Sequence, residues 1–145
     1  IKLNYVFLMK KIGIIKPKIF KTQKFSNING TLIPIYVNRI NNFKTKRIFI
    51  VKGDKGHIRG NHAHKKCTQI FVQLTGKSSI SIKKIKNYSF TLSEKHKKIL
   101  IVPPLHWCTI KFKSNKSSFL VLCDVDYSTK EYIRNYKKFK NVVGK

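Results

Sequence analysis

Short segments rich in β-branched and aromatic residues recur along this chain, and turn-forming residues such as those at 53–56 separate them. Their spacing of about ten residues is typical of antiparallel β-sandwiches and barrels, because each segment has the length of one strand. We therefore predict an all-β fold. The predicted strands are residues 12–19, 31–37, 46–52, 68–74, 78–85, 88–92, 98–102, 108–112 and 118–124.

One segment, residues 129–141, predicts a short C-terminal helix. Ser128 or Thr129 can cap it, and Glu131 would lie in its first turn. The apolar residues at helical spacing are Tyr132, Ile133, Tyr136 and Phe139. We expect this helix to pack against the strands rather than to carry chemistry.

The length of 145 residues fits a single domain, which we place at residues 12–145. Met9 is the only methionine, so we expect residues 1–11 to be an N-terminal extension that is disordered or not native. No window reaches the roughly 18 consecutive apolar residues of a membrane helix, and we predict no membrane partner. The three cysteines are widely spaced and include no CxxC pair, which favours a reducing cytoplasm over a disulfide framework.

The formal net charge of +27 is the other conspicuous property of the chain. A basic surface gains affinity for nucleic acid by releasing counterions from phosphate, so a nucleic-acid-binding barrel is one interpretation. The excess is carried by Lys, however, and no RNP-like motif or finger spacing accompanies the Lys-rich runs at 83–86 and 95–98. We interpret the charge mainly as solvated surface, compatible with an anionic small substrate, and regard nucleic acid as an unlikely partner.

His62 and His64 are two residues apart, so on a strand both side chains point to the same face and Ala63 points away. Imidazole has an unperturbed pKa near neutrality, which suits it to proton transfer or metal ligation. The alternative is that the two histidines have no chemical role and are either hydrogen-bonded within the fold or exposed on its surface. His57 and His96 are more simply interpreted as exposed residues.

The residues around this pair keep the spacing of a known motif. Gly56 is followed after five residues by His62 and His64, then after four by Gln69 and after six by Gly76. This series resembles the first cupin motif, G(x)5HxH(x)3-4E(x)6G, with Gln in place of Glu. The resemblance implies a cupin jelly-roll barrel or sandwich.

The second cupin motif, of the type PxGxxH, is less well kept. Cys108 stands where its His would fall, and His106 is out of step by two residues, which places it on the same strand face. The Gln69 amide is also a poor substitute for a carboxylate on a divalent ion. We therefore expect a site without a metal ion, and His106 stays a candidate ligand.

A more specific resemblance covers residues 30–139. The chain is similar to the sugar-nucleotide 3,4-ketoisomerases, cupin-fold enzymes that act on dTDP-4-keto-6-deoxyglucose. The string RGNHAHK at 59–65 is specific to this family and its close relatives, whereas the run EYIRNY at 131–136 alone is weak. The other matching residues are Gln69, Pro104, Trp107, Asp126, Tyr127 and Phe139.

The resemblance implies a homodimer whose subunits exchange strands and which needs no metal or redox cofactor. It also implies that a keto group moves from carbon 4 to carbon 3 of a nucleotide-linked deoxysugar, on the way to an amino sugar of a surface glycan such as O-antigen. His62 would be the base at carbon 3, and His64 would help to return a proton at carbon 4 through an enediol. Arg59 would hold an anionic or hydroxyl part of the ligand. The other substrate-binding candidates are Asn61, Lys65, Gln69, His106 and Trp107.

One position departs from the family. Members commonly carry a Tyr in the strand before the motif, often assigned to the proton shuttle, whereas the run at 47–51 reads Arg-Ile-Phe-Ile-Val. We expect His64 or another Tyr to act as the acid in place of this Tyr, unless this chain catalyses a reaction with a different outcome or has lost catalysis. The main alternative function is a non-isomerising sugar-nucleotide-binding cupin, an epimerase or a metal-dependent variant.

Overall fold

The computed structural model describes residues 15–40, 43–96 and 98–144, and over these residues the chain forms twelve strands and one α-helix. The strands are β1 Lys18–Lys21, β2 Phe25–Asn27, β3 Gly30–Leu32, β4 Arg47–Gly53, β5 Ile58–His64, β6 Gln69–Thr75, β7 Lys77–Lys83, β8 Asn87–Ser93, β9 Lys98–Val102, β10 Trp107–Phe112, β11 Ser117–Cys123 and β12 Tyr132–Ile133. The helix, α1, is Tyr136–Val143. The all-β prediction is therefore confirmed.

Two five-stranded sheets make up the fold. The first has the strand order β1-β9-β6-β11-β4 and the second β12-β5-β10-β7-β8, and neighbouring strands run antiparallel. β2 and β3 form a separate two-stranded hairpin. Among the described residues no helix is long and apolar enough to cross a membrane.

The two sheets are held together by apolar side chains from their inner faces. Phe71 and Phe119 of the first sheet share one core with Ile80 and Phe112 of the second, and none of the four is more than 3% exposed. The rings of Phe112 and Phe119 meet with their centroids 5.8 Å apart. Burial of a side chain of this size contributes about 1.5–3 kcal/mol, so this core is the main support of the sandwich.

Every strand predicted from residue 46 onward occurs, with bounds within two residues of those expected. β7 alternates buried and less buried positions, whereas β9 and β11 are buried almost throughout, and both patterns are typical of strands. The prediction of a strand over residues 31–37 was wrong beyond Leu32. Pro34 has no N–H for a ladder, and a 3₁₀ turn follows at Val37–Arg39. The short strand β2 was not predicted. The predicted strand at 12–19 is described only from residue 15, and its ordered pairing begins at Lys18, just after Pro17.

The helix prediction was wrong in its first half. Residues Thr129–Glu131 form a 3₁₀ turn, and β12 follows it because Tyr132 and Ile133 pair with the last residues of β5. The helix begins only after Asn135, whose Oδ1 accepts a hydrogen bond from the Lys138 N–H at 2.8 Å. The cap is therefore Asn135 rather than Ser128 or Thr129. The expected extension at residues 1–11 lies outside the described residues.

Candidate active site

The two motif histidines lie on β5, between β12 and β10 of the second sheet. As the two-residue spacing predicts, they share a face, and their ring centroids are 5.0 Å apart. Ala63 points the other way and is fully buried in a cluster with Trp107 and Phe139. The small Ala63 therefore lets β5 pack closely on the C-terminal segment while both imidazoles point into the sandwich.

A β-bulge at Gly60 and Asn61 changes the direction of β5 just before His62. Cys108 pairs with His62 and Thr109 with Gly60, which leaves Asn61 as the extra residue. Both bulge residues have positive φ, +84° at Gly60 and +55° at Asn61. A Cβ at Gly60 would lie 2.6 Å from the Cys108 carbonyl oxygen, so only glycine fits there.

This bulge also sets the tautomer of His62. Its Nδ1 lies 3.0 Å from the carbonyl oxygen of Gly60, and because a carbonyl only accepts, Nδ1 carries the hydrogen. Nε2 is then left with a free lone pair. Burial lowers the pKa of His62 below its ordinary value, and the cations Arg134 and Arg59 lower it further. The side chain is therefore a neutral imidazole near pH 7, in the form that can accept a proton.

His64 is the more deeply buried of the pair, at 5% exposure. Burial lowers the pKa of His64 to about 3, and the nearby His62, Arg47 and Arg134 reinforce the shift. Neither of its ring nitrogens has a hydrogen-bond partner among the described residues. His64 is therefore a neutral ring that cannot act as an imidazolium near pH 7.

A cavity of about 370 Å³ opens beside the histidines. This volume is in the range typical of small-molecule sites, about 300–1,000 Å³. Four residues predicted for the site line it, namely Arg59, Asn61, His62 and Gln69. Phe49, Tyr132 and Arg134, which were not predicted, line it as well. The cavity thus combines an imidazole base with two guanidinium groups on partly apolar walls.

The structure does not bring the remaining predicted residues into this lining. The Lys65 side chain is exposed, and Trp107 packs its ring on Tyr136 and Phe139 with centroids 5.0 and 5.6 Å away. His106 is buried, and its Nδ1 lies 2.9 Å from the Pro104 carbonyl oxygen. His64 stands behind the lining, against the rings of His62 and Tyr132.

Of the lining residues that were not predicted, Tyr132 is the one whose ring contacts both histidines. β12 pairs it with His64, and its ring centroid lies 4.9 Å from that of His62 and 4.4 Å from that of His64. Its hydroxyl accepts a hydrogen bond from Arg47 Nη2 at 3.2 Å. Tyr132 was missed because residues 129–141 were predicted as one helix. Asn135, a good helix-capping residue, was the signal that could have placed the helix start after Tyr132.

Comparison with known proteins shows the family. The FdtA family model, WxcM-like, C-terminal, matches residues 15–144. The chain belongs to the FdtA family. A curated relative from Aneurinibacillus thermoaerophilus, TDP-4-oxo-6-deoxy-alpha-D-glucose-3,4-oxoisomerase, is 29% identical over 129 residues, which cover 88% of this chain and 93% of the relative.

Solved structures of similar proteins agree in fold. QdtA, a sugar 3,4-ketoisomerase from Thermoanaerobacterium thermosaccharolyticum in complex with TDP, has 26% identity and a TM-score of 0.82, with 91% of this chain and 97% of that chain covered. A 3,4-ketoisomerase from Helicobacter canadensis has 27% identity and a TM-score of 0.81, with coverages of 89% and 98%. The predicted cupin fold and the resemblance to 3,4-ketoisomerases are therefore confirmed.

The thiol of Cys123 holds two side chains at this FdtA-family site, Gln69 on the cavity wall and Arg47 beside Tyr132. Cys123 Sγ accepts hydrogen bonds from Arg47 Nη2 at 3.6 Å and from Gln69 Nε2 at 3.5 Å. Its pKa is held below the ordinary range, first by a hydrogen bond from Cys67 and then by those of Gln69 and Arg47. Arg47 and Gln69 are thus both hydrogen-bonded to the end of β11, which fixes the position of each side chain.

The ligand chemistry of the FdtA-family site bears on the expectation of a metal-free centre. In the part of the chain that the structure describes, no group of three or more His, Cys, Asp or Glu side chains converges as a metal site would require. Gln69 donates its amide to sulfur, and burial raises the pKa of the Cys108 thiol to about 12. The metal-free site stays a prediction.

Proposed function

We propose that this protein is a sugar-nucleotide 3,4-ketoisomerase acting on a dTDP-linked 4-keto-6-deoxyhexose. The observation that carries the proposal is His62, a neutral imidazole on the cavity wall whose Nδ1 is engaged by its own bulge and whose Nε2 is free. The family and its relatives, which are named as ketoisomerases, support the same reaction class.

In the proposed reaction, His62 removes the proton from carbon 3, which is acidic because carbon 4 beside it is a carbonyl. A positioned base of this kind contributes roughly 10²–10⁴-fold to the rate. The lowered pKa keeps the base unprotonated near pH 7. The imidazolium so formed can return its proton to carbon 4, which moves the carbonyl to carbon 3 without any net gain or loss of electrons.

Cations at the cavity suit an anionic intermediate and an anionic substrate. Arg59 and Arg134 both line the cavity, and their guanidinium groups can stabilise a developing enolate or bind the diphosphate of the nucleotide. Asn61 and Gln69 complete the proposed substrate-binding set on the walls. Lys65, His106 and Trp107 are not part of the cavity lining. Their proposed part in substrate binding is therefore indirect, by positioning the residues that do line it.

His64 has a different proposed role from the one that its position in the motif suggests. Because it is neutral near pH 7, we place the return of the carbon 4 proton on His62 and assign His64 to orienting the site. Its two unpartnered ring nitrogens leave it able to hydrogen-bond a neighbouring side chain when substrate is bound.

The biological setting of the proposal is the reducing cytoplasm, where nucleotide sugars for a surface glycan such as O-antigen are made. Cys67, Cys108 and Cys123 are all free thiols in the structure, which agrees with a reducing compartment.

A homodimer with exchanged strands is proposed as the functional assembly. The hairpin of β2 and β3 exposes Phe25, Ile28 and Leu32 at 57%, 98% and 61%. The edge strand β4 likewise exposes Ile48 and Ile50. Exposed apolar sets of this kind, on a hairpin and a sheet edge, suit a second copy of the chain.

The function is tested by incubating the purified protein with dTDP-4-keto-6-deoxyglucose and following the sugar by proton NMR. We expect the 4-keto signals to be replaced by those of a 3-keto isomer. Unchanged substrate in the presence of binding would support the non-isomerising alternative and overturn the proposal. Inversion at a carbon without movement of the keto group would show an epimerase instead.

A further inference from the structure

The phenol of Tyr132 occupies a position that the chemistry of this site needs. Isomerisation moves a hydrogen between two carbons and also a proton between two oxygens, from the carbon 3 hydroxyl to the carbon 4 oxygen. His62 alone serves the carbons. A second group must therefore serve the oxygens, and it must lie on the cavity wall beside the base.

Tyr132 meets this geometric requirement. It lines the cavity, and its ring contacts that of His62 with centroids 4.9 Å apart. Tyr127, another tyrosine close by, is 60% exposed, and its ring centroid lies 5.8 Å from that of Tyr132. The ring of Tyr132 contacts both motif histidines.

The direction of its hydrogen bond leaves the phenol free to donate its own hydrogen. A guanidinium has donors only, so the contact with Arg47 at 3.2 Å must be accepted by the Tyr132 oxygen. The hydroxyl hydrogen is then available to another partner. The same Arg47 contact stabilises the phenolate that remains after the proton has left.

Other groups near the base do not meet the requirement. Phe49 stands on the cavity wall in the strand before the motif and has no hydroxyl. His64 is 5% exposed and is not part of the cavity lining, and its ring packs against those of His62 and Tyr132. Cys108 is a thiol whose pKa burial raises to about 12.

We propose that Tyr132 is a catalytic residue of this chain and that it carries the proton between the two sugar oxygens. The proposal rests on the proposed ketoisomerase function. As His62 takes the carbon 3 proton, the electron pair forms the carbon 3–carbon 4 double bond, the carbonyl pair moves to oxygen 4, and Tyr132 protonates that oxygen. The Tyr132 phenolate then takes the proton of the carbon 3 hydroxyl as the new carbonyl forms, and the double-bond pair takes the proton of His62 at carbon 4. Both residues end in their starting states.

The test compares Tyr132→Phe with Tyr127→Phe, each with dTDP-4-keto-6-deoxyglucose. Tyr132→Phe keeps the ring that packs on both histidines and removes only the hydroxyl. We expect kcat to fall by about 10²-fold or more while KM and the affinity for TDP stay within about threefold, as for an interaction made mainly in the transition state. The control Tyr127→Phe should keep the wild-type kcat, since its phenol is not in the cavity lining.

The outcomes separate this proposal from the function on which it rests. A wild-type protein that does not isomerise the sugar refutes the function itself. An active wild type with a Tyr132→Phe variant of nearly unchanged kcat overturns the catalytic role alone. A variant that loses TDP affinity but keeps kcat at saturating substrate also overturns it, because Tyr132 would then be a binding or structural residue.

Discussion

At the scale of single residues, the site keeps two imidazoles neutral side by side. Burial of His64 carries an electrostatic consequence, because its pKa falls to about 3 in the folded protein from an ordinary value of 6.5. Below pH 6.5 the unfolded chain therefore binds more protons than the folded one. The free energy of unfolding must then decrease as the pH falls toward 3.

This pH dependence can be measured with His64→Gln. For one group with this shift, lowering the pH from 7 to 5 costs about 2 kcal/mol of the free energy of unfolding. We expect urea unfolding to show that the wild type loses about 2 kcal/mol more than His64→Gln over this interval. The matched control is His96→Gln, because His96 is exposed. Equal losses in the wild type and His64→Gln would contradict the neutral, buried state of His64.

Residue-level reasoning predicted the histidine pair but not the detail that makes His62 a base. The alternation of a strand placed both rings on one face, and the motif spacing indicated Gln69 as a neighbour. The tautomer depends on the left-handed bulge at Gly60 and Asn61, which exists because β10 closes against β5 with a register shift. A pairing between distant segments has no local signal in the sequence.

At the scale of elements, β12 is the part that completes the site. Backbone N–H groups of Lys66 and Cys67 donate to the carboxylate of Glu131, and the Lys65 N–H donates to the Glu131 carbonyl oxygen. These hydrogen bonds hold the segment before β12 against the residues that follow β5. They therefore help to keep Tyr132, the next residue along the chain, beside the histidines.

Glu131→Ala tests this fastening. Loss of two hydrogen bonds to a carboxylate should lower the free energy of unfolding by about 1–3 kcal/mol and reduce kcat, because Tyr132 would no longer be held against the base. Glu131→Gln should keep most of both, since an amide oxygen still accepts. Thermal unfolding and steady-state rates measure the two effects, with the exposed Glu94→Ala as control. A Glu131→Ala protein with wild-type stability and kcat would contradict the argument.

The elements that sequence patterns missed are those set by tertiary pairing. Tyr132 and Ile133 fit a helical period and a strand equally well over so short a stretch, and pairing with β5 decided the outcome. Strands of the main sheets were predictable because each carries a local apolar pattern: β7 alternates, with its buried Ile80 and Ile82, whereas β11 is a nearly continuous buried run. The cavity is lined by residues of β4, β5, β6, β10, β11 and β12, and no local pattern joins strands so far apart in sequence.

At the scale of the whole molecule, the exposed hairpin predicts association. Phe25 and Leu32 face each other across β2 and β3, and both are more than half exposed. We expect the wild type to sediment as a homodimer at micromolar concentration. The double variant Phe25→Ser with Leu32→Ser should sediment as a monomer, because it removes apolar surface that a partner would cover.

The matched control for association is Ile85→Ser, which changes an 84% exposed apolar residue between β7 and β8. This variant should remain a dimer. A monomeric wild type, or a double hairpin variant that stays dimeric, would contradict the proposed interface.

The central claim is that His62 takes the proton from carbon 3, and hydrogen exchange at that carbon tests it most directly. The His62 imidazolium can exchange its proton with solvent before returning it, so in deuterated solvent the dTDP-4-keto-6-deoxyglucose that remains should lose its carbon 3 proton NMR signal relative to its other signals with the wild type. His62→Asn, whose amide is of similar size and can retain a hydrogen bond, should still bind TDP but should not catalyse this exchange. His64→Asn should leave the exchange partly intact. Equal exchange rates in the wild type and His62→Asn would show that another group takes the proton, and the assignment of His62 as the base would be wrong.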